Sequence, residues 1–289
     1  MTTAELSPES LRQFIGRRQE STDVVTAGPA NLLRLTFARD EPEFKEGDAL
    51  PPGWQILYFL PRYRPEELRP DGSPRDSGVV PPMPLPRRMF AGDRFRFHRA
   101  IRIGETLRRE TELADMAIKP GSTGTLVFAT VINRLFGREG LALEEERRTV
   151  FREEVKTGER NQAPRREPAP SDVSWRRWVT PDPVLLFRFS ALTFNSHRIH
   201  YARRWAMDTE GYPGLVVHGP LTSTLLLDFA RDHSAGRRIV GYTTQARAPL
   251  FDTAPFELRG RPVADERPAA VWAVTPDGTV AMSAEIELA

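Results

Sequence analysis

The pattern of hydrophobic and polar residues divides the chain into strand-like and helical stretches. From Phe90 onward, apolar residues come in short runs of the strand type, separated by turn residues at 119–121 and 137. We predict strands in the first half at residues 95–98, 101–103 and 123–136. Residues 141–154 are compatible with a charged edge strand or a helix, and we favour the strand. Near the end of the chain the same pattern predicts strands at residues 238–250, 255–263, 269–274 and 279–288.

Apolar residues at helical spacing are rarer along the chain than strand-like runs. Residues 7–15 begin with Ser-Pro, a typical helix start, and continue with apolar residues at helical intervals. Residues 221–229 are apolar almost all round the predicted helix, which indicates that this helix is buried. Residues 54–60 predict a buried helix or strand, and the proline-rich residues 62–88 predict an extended connection.

The two strand-rich blocks resemble each other and predict a duplicated unit. Residues 99–136 and residues 247–288 both begin with arginine and alanine and run through strand, turn and strand. A sheet that wraps around one buried helix is the hotdog arrangement, so we predict an α+β double hotdog. The units would span residues 1–155 and 173–289, joined by a polar, proline-rich linker at 156–172.

Composition narrows the function classes. The chain has 289 residues, 41 basic and 39 acidic side chains, and a formal net charge of +2. This balance, without a basic stripe, argues against a nucleic-acid partner. The absence of cysteine excludes disulfides and thiolate nucleophiles. No long apolar run or leader sequence is recognisable, so we expect a cytoplasmic protein that does not bind membranes.

Candidate chemistry concentrates in residues 189–221, which hold three of the five histidines beside an apolar segment. Asn195 and His200 stand five residues apart, and Gly219 stands at the predicted mouth of the buried helix. His200 would serve as a general base near neutral pH, Asn195 would hold a water or a carbonyl, and the Gly219 N–H would polarise a carbonyl oxygen. These are the parts needed to add water beside a polarised carbonyl, or to remove it.

Other readings of the same residues are weaker. His197 and His200 could bind a metal, but no third ligand stands at a recognisable spacing, so we expect no metal site. The hydroxyl residues nearby lack the surroundings of a nucleophile elbow, and no nucleotide-binding glycine motif occurs. His98 and His233 are interpreted as structural.

Three segments resemble one enzyme family. Asn195-Ser-His-Arg-Ile-His200 resembles the D-x-N-P-[IL]-H motif of the MaoC-like (R)-specific enoyl-CoA hydratases, and His218-Gly-Pro-Leu221 resembles their H-G-x-L segment. The closer likeness is to the branch with 3-hydroxyacyl-thioester dehydratase 2, mesaconyl-C4-CoA hydratase and itaconyl-CoA hydratase. Residues 85–92, LPRRMFAG, are similar to the first hotdog of that branch. The resemblance implies a double-hotdog hydro-lyase with its catalytic motif in the second unit.

The resemblance also implies roles for individual residues. Catalytic roles fall to Asn195, His200 and Gly219, and substrate binding to His197, Arg198, Tyr201, His218, Arg87 and Arg88. Asn195 stands where many members have aspartate, and an amide cannot take up a proton at neutral pH. Acid and base work would therefore fall on His200.

The expected activity is hydration or dehydration of a short acyl-CoA, first of all a C5 dicarboxylyl-CoA such as itaconyl-CoA or mesaconyl-C4-CoA. A 3-hydroxyacyl-thioester dehydratase of fatty-acid metabolism is the alternative. A hotdog thioesterase and a non-catalytic acyl-thioester binding protein stay open. We expect no cofactor, since CoA belongs to the substrate, and we expect a homo-oligomer.

Overall fold

A computed structural model describes residues 6–76, 78–121, 124–153, 167–262 and 269–289. Its strands form one antiparallel sheet of ten, in the order β1-β3-β4-β5-β2-β7-β10-β9-β8-β6. The strands of the first half are β1 (Arg18–Val24), β2 (Arg87–Phe97), β3 (Thr106–Gly121), β4 (Gly124–Gly137) and β5 (Gly140–Arg152). Those of the second half are β6 (Trp175–Val179), β7 (Ile239–Ala246), β8 (Phe256–Arg261), β9 (Ala269–Val274) and β10 (Val280–Leu288).

The described helices are few, and one of them dominates the core. They are α1 (Pro8–Arg12), α2 (Ala27–Thr36), α3 (Pro183–Leu192) and α4 (Gly219–Asp232), with short 3-10 helices at Trp54–Leu57, Pro65–Glu67 and Arg198–His200 and a π-helical turn at Trp205–Thr209. Every residue of α4 from Leu221 to Ala230 is buried. No helix in this described part of the chain has the length and hydropathy needed to cross a membrane.

Both halves of the sheet have the same strand order. The first half runs β1-β3-β4-β5-β2 and the second runs β6-β8-β9-β10-β7, so each places its second strand at the centre of the whole sheet. There β2 pairs with β7, with Arg94 opposite Thr243. This is the duplicated α+β unit that the sequence predicts. The predicted unit boundaries stay a prediction, because most of the linker lies in residues 154–166, outside the described residues.

The two units differ in their helices. The sequence predicts a central helix for each, but the first unit has the ten-residue α2 and a four-residue 3-10 helix at Trp54–Leu57, against fourteen residues in α4. Pro61 follows that 3-10 helix and opposes its extension toward the C-terminus, since proline lacks the N–H that a helix interior needs.

Several local predictions require correction. Residues 101–103 form a turn with an isolated bridge between Ala49 and Arg102, because the chain there leaves the sheet after β2. The sequence also predicts a short strand at residues 215–217, but these residues form only one bridge, from Val216 to Phe251. The sequence predicts Pro220 at the first position of the buried helix, but Pro220 occupies the second position of α4, because Gly219 is already helical. The strands β1, β3 and β6 and the helices α2 and α3 are not predicted at all.

Candidate active site

The N-terminus of α4 forms the floor of the candidate site. His218 is the N-cap residue and Gly219 the first helical residue. In the described residues the Gly219 N–H has no hydrogen-bond acceptor, so it is free for a ligand. A Cβ atom at Gly219 would lie 2.7 Å from Cδ1 and 2.8 Å from Cβ of Phe90. Only glycine therefore fits beneath Phe90 at this helix mouth.

His200 lies beside the helix mouth. Its ring stacks on the ring of His218 with centroids 3.7 Å apart, and its Nδ1 lies 2.7 Å from the carbonyl oxygen of Val216. Because a carbonyl oxygen only accepts, Nδ1 must carry the proton and donate it, and Nε2 keeps its lone pair. Burial, and then the nearby His197, lower the pKa of His200 to about 3. His200 is therefore a neutral base at physiological pH.

His218 supports this stack from within the core. It is fully buried, and its Nε2 lies 2.8 Å from the hydroxyl oxygen of Ser190 on α3. Its other ring nitrogen, Nδ1, has no hydrogen-bond partner among the described residues. Burial and the neighbouring histidines hold the pKa of His218 well below its ordinary value. The sequence motif reveals His218, whereas the role of Ser190 as its partner is visible only in three dimensions.

Asn195 lies on the turn that follows α3. Its side-chain oxygen accepts the N–H of His197 at 3.1 Å, which closes an Asx-type turn. The preceding residue, Phe194, has a φ of 49°, so the chain turns sharply here. Its NH2 group has no acceptor among the described residues and can donate a hydrogen bond to a ligand. The turn brings Asn195 next to His197, and the His197 and His200 rings meet edge to face at 5.5 Å.

A loop of the first unit packs onto this motif, which sequence reasoning missed. The carbonyl oxygen of Asp71 accepts the N–H of Arg198 at 2.7 Å, and the carbonyl oxygen of Gly72 accepts the hydroxyl of Ser196 at 2.7 Å. Oδ2 of Asp71 lies 3.7 Å from Nε2 of His197. Desolvation lowers the pKa of His197, and the Asp71 carboxylate opposes that shift. The Pro-Asp-Gly-Ser sequence indicates a turn, but not where the turn packs.

Arg88 approaches the site from β2. It lies on the same face of the strand as Phe90, two residues further on, and its charge contributes to the lowered pKa of His197. The side chain is exposed, and the neighbouring protein lowers the pKa of Arg88, first by desolvation and then through the charge of Arg147. A cavity of about 20 Å³ lies beside it, with Ser73 and Phe151 in its walls. The described residues offer Arg88 no carboxylate partner.

The remaining predicted substrate-binding residues have other contacts. Arg87 donates to the carbonyl oxygen of Glu210 at 3.1 Å. The Arg198 guanidinium lies 4.8 Å above the Trp205 ring, and the Tyr201 hydroxyl donates to a backbone carbonyl within the motif. Arg198 and Tyr201 are exposed. The geometry brings together His197, His200, His218 and Gly219, with Arg88 near His197, whereas these three contact other groups.

The histidine cluster is not arranged like a metal site. His200 and His218 lie nearly parallel, with 19° between their planes, so their lone pairs do not converge on one point. No group of three or more histidine, aspartate or glutamate side chains in the described ranges has a metal-binding arrangement.

The sequence matches a known protein family. A sequence model of the family described as hydroxyacyl-thioester dehydratase type 2 matches residues 53–252. Mesaconyl-C(4)-CoA hydratase from Chloroflexus aurantiacus is 44% identical over 280 residues, which are 95% of this chain and 96% of that protein.

Solved structures agree on the fold. One named MaoC-like dehydratase aligns with a TM-score of 0.68 at 15% identity, over 96% of this chain and 98% of its own. A Mycobacterium tuberculosis protein with a double hotdog fold aligns with a TM-score of 0.57 at 13% identity, over 100% of this chain and 98% of its own. The predicted double hotdog and the predicted family are both confirmed. The chain therefore belongs to the hydroxyacyl-thioester dehydratase type 2 family and is a hydro-lyase.

Proposed function

We propose that this hydro-lyase hydrates a C5 dicarboxylyl-CoA, of the mesaconyl-C4-CoA or itaconyl-CoA type, in one active site per chain. The observation that carries the proposal is the pairing of a neutral, buried His200 with the free N–H of Gly219. A base and an oxyanion donor on neighbouring elements are what addition of water to an unsaturated thioester requires.

The steps follow from the proton positions. Nε2 of His200 takes a proton from water while the water oxygen attacks the β-carbon of the thioester. The electron pair of the double bond moves onto the thioester carbonyl oxygen, where the Gly219 N–H stabilises the enolate. The imidazolium of His200 then returns its proton to the α-carbon, which restores the neutral base. The NH2 group of Asn195 donates to the water or to the thioester throughout.

Arg88 supports the choice of a dicarboxylyl substrate. A guanidinium without a carboxylate partner among the described residues, close to His197, is suited to a second carboxylate on the acyl group. The relative at 44% identity is named for a substrate of this kind. We also propose that the enzyme needs no cofactor beyond the CoA of the substrate, that it is cytoplasmic and that it forms a homo-oligomer.

The proposal is tested by mixing the protein with mesaconyl-C4-CoA, itaconyl-CoA and crotonyl-CoA while following both enoyl absorbance and free thiol. Loss of enoyl absorbance without thiol indicates hydration, thiol release indicates a thioesterase, and no change with any substrate contradicts the proposed activity. His200→Ala should lower kcat by at least about 100-fold, since general base catalysis contributes that much or more. His98→Ala, at an exposed histidine after β2, is the matched control and should retain activity.

Substrate choice has its own test. Arg88→Gln should lower kcat/KM for mesaconyl-C4-CoA by about tenfold or more, because it removes a charged hydrogen-bond donor. Crotonyl-CoA, which lacks the second carboxylate, should be affected much less. The matched control is Arg188→Gln on the exposed face of α3. Equal losses for both substrates would assign Arg88 to the CoA part or to stability, and would remove its support for a dicarboxylyl substrate.

A further inference from the structure

The two units are related residue by residue about the centre of the sheet. Arg94 of β2 pairs with Thr243 of β7, which stands 149 residues later. Each of these strands also has one residue that is left out of the pairing with its other neighbour. This residue is Ala91 in the β2–β5 pairing and Val240 in the β7–β10 pairing, again 149 residues apart. Arg237, just before β7, is therefore the counterpart of Arg88.

The helix mouth also has a counterpart in the first unit. The N–H of Leu50 donates to the carbonyl oxygen of Ile101 at 2.8 Å, and the N–H of Val217 donates to that of Leu250 at 2.8 Å. The preceding residues also match, because Ala49 forms an isolated bridge with Arg102 and Val216 forms one with Phe251. Two prolines at 51–52 thus stand where the second unit has its N-cap histidine and Gly219.

The catalytic groups are missing from this counterpart. The N–H of Arg39 donates to the carbonyl oxygen of Arg34, five residues earlier, at 3.0 Å, and the N–H of Asn195 donates to that of Ser190, also five residues earlier, at 2.8 Å. The preceding residues, Ala38 and Phe194, have similar φ values of 50° and 49°. Arg39 therefore occupies the place of Asn195. Only 11 positions separate Arg39 from Leu50, against 22 from Asn195 to Val217. The shorter loop has no equivalent of the segment that carries His200.

A cavity persists at this second site. Its volume is about 250 Å³, and it lies where β2 ends and β7 begins. The walls are mainly apolar, with Leu50, Pro51, Pro52, Phe97, Ile101 and Ile239 among them. We call it the seam cavity. Its lining contains no histidine, carboxylate or hydroxyl group, and prolines at the mouth leave no N–H for an oxyanion.

The rim of the seam cavity carries positive charge that the described protein does not balance. Arg237 and Arg238 donate only to backbone carbonyls, at 3.0 and 3.2 Å, and have no carboxylate partner in the described ranges. The other two lining arginines are already paired: Arg99 with Glu105 at 2.5 Å, and Arg231 with acidic side chains beside α4.

We propose that the seam cavity is a non-catalytic binding site for a short-chain monocarboxylate, with the alkyl chain against the apolar walls and the carboxylate on Arg237 and Arg238. Apolar walls favour the chain, and guanidinium groups without a partner favour a planar anion. A second carboxylate would be buried against apolar residues at high cost, which argues for a monocarboxylate. The site holds its ligand unchanged because no histidine, carboxylate or hydroxyl side chain lines it to act as a base or a nucleophile. It is independent of the hydratase reaction.

The test is calorimetric titration of the full-length protein with hexanoate, with acetate and hexanol as single-feature controls. Hexanoate should bind at least about tenfold more tightly than either, since acetate lacks the apolar chain and hexanol lacks the charge. Arg237→Gln combined with Arg238→Gln should weaken hexanoate binding by about tenfold or more. Ala100→Trp, at an exposed lining residue, should also weaken it by filling the cavity.

Two matched variants make the result specific. Arg188→Gln removes an exposed arginine from α3, outside the lining, and should bind hexanoate like the wild type. Arg88→Gln reports on the catalytic site and should also leave hexanoate binding unchanged. The proposal is overturned if hexanoate binds no better than acetate, if folded seam variants bind it normally, or if Arg88→Gln removes the binding. Circular dichroism confirms the fold of each variant.

Discussion

Acidification should leave the catalytic base active far below the pH at which an ordinary histidine fails. The pKa of His200 is lowered to about 3, first by burial and then by His197, while its hydrogen bond to the Val216 carbonyl opposes the shift. At pH 5 a histidine with the ordinary pKa of about 6.5 would be protonated in roughly 30 of 31 molecules. A base of that kind would lose about 30-fold in kcat/KM between pH 8 and pH 5.

His200 should behave differently. With a pKa of about 3 it remains about 99% neutral at pH 5, so kcat/KM should change by less than about twofold over this range. Stability should change in the same interval. Because the folded pKa is depressed, the unfolded chain binds more protons below about pH 6.5, so His200 costs about 1.4 kcal/mol of stability per pH unit as the pH falls from 6.5 toward 3.

The assay is kcat/KM for mesaconyl-C4-CoA from pH 5 to pH 8 in buffers of constant ionic strength, with circular dichroism to establish that the protein stays folded. Denaturant titration at each pH measures the free energy of unfolding. An acid limb with a midpoint near pH 6.5 in a fully folded protein would refute the reasoning, because it would mean that the base is hydrated and ordinary. A free energy of unfolding that is constant below pH 6.5 would refute it equally.

Two substitutions test the surroundings of the base. Gly219→Ala puts a methyl group within 3.0 Å of three atoms of Phe90, including its Cβ, so β2 must shift; we expect a loss of about 1–3 kcal/mol in unfolding free energy and a lower kcat. Gly28→Ala in α2, where nothing lies within 4 Å, is the control and should be neutral or slightly stabilising. Asp71→Asn removes the carboxylate charge that faces His197. The pKa of His197, measured by NMR, should fall further, and kcat/KM should decrease. An unchanged pKa of His197 would contradict the contact.

The sequence predicts the second unit better than the first. The strand β9 is apolar throughout, β10 alternates apolar with polar residues near its end, and α4 contains a cluster of leucines, so these elements are visible in one sequence. The strand β1 reads RQESTDV and is mostly exposed, because an edge strand needs only backbone pairing with β3 and not an apolar face. The helix α2 begins with Ala-Gly-Pro and has only two buried residues, so it carries no strong helical signal.

The candidate site also has parts that the sequence predicts and parts that it does not. The motif from Asn195 to His200 and the glycine at the helix mouth are local in sequence and could be found there. The contact of Asp71 with His197 joins residues 126 positions apart, and the bond of Ser190 to His218 crosses from one helix to the start of another. No local pattern encodes such contacts, because they depend on how the two units pack.

The first unit's counterpart of the candidate site stabilises the central helix of the second unit. Arg39 stands in the place of Asn195, and its guanidinium contacts Asp228 at 2.8 Å and Asp232 at 2.5 Å, near the C-terminus of α4. Carboxylates are unfavourable at that end of a helix, so these two need a cation. Although burial opposes ionisation, hydrogen bonds from Arg39 and Arg177 lower the pKa of Asp232 to about 2. An asparagine at position 39 could not supply that charge. In the proposed mechanism the turn at Asn195 faces the substrate, whereas the turn at Arg39 holds the far end of the helix that begins at Gly219.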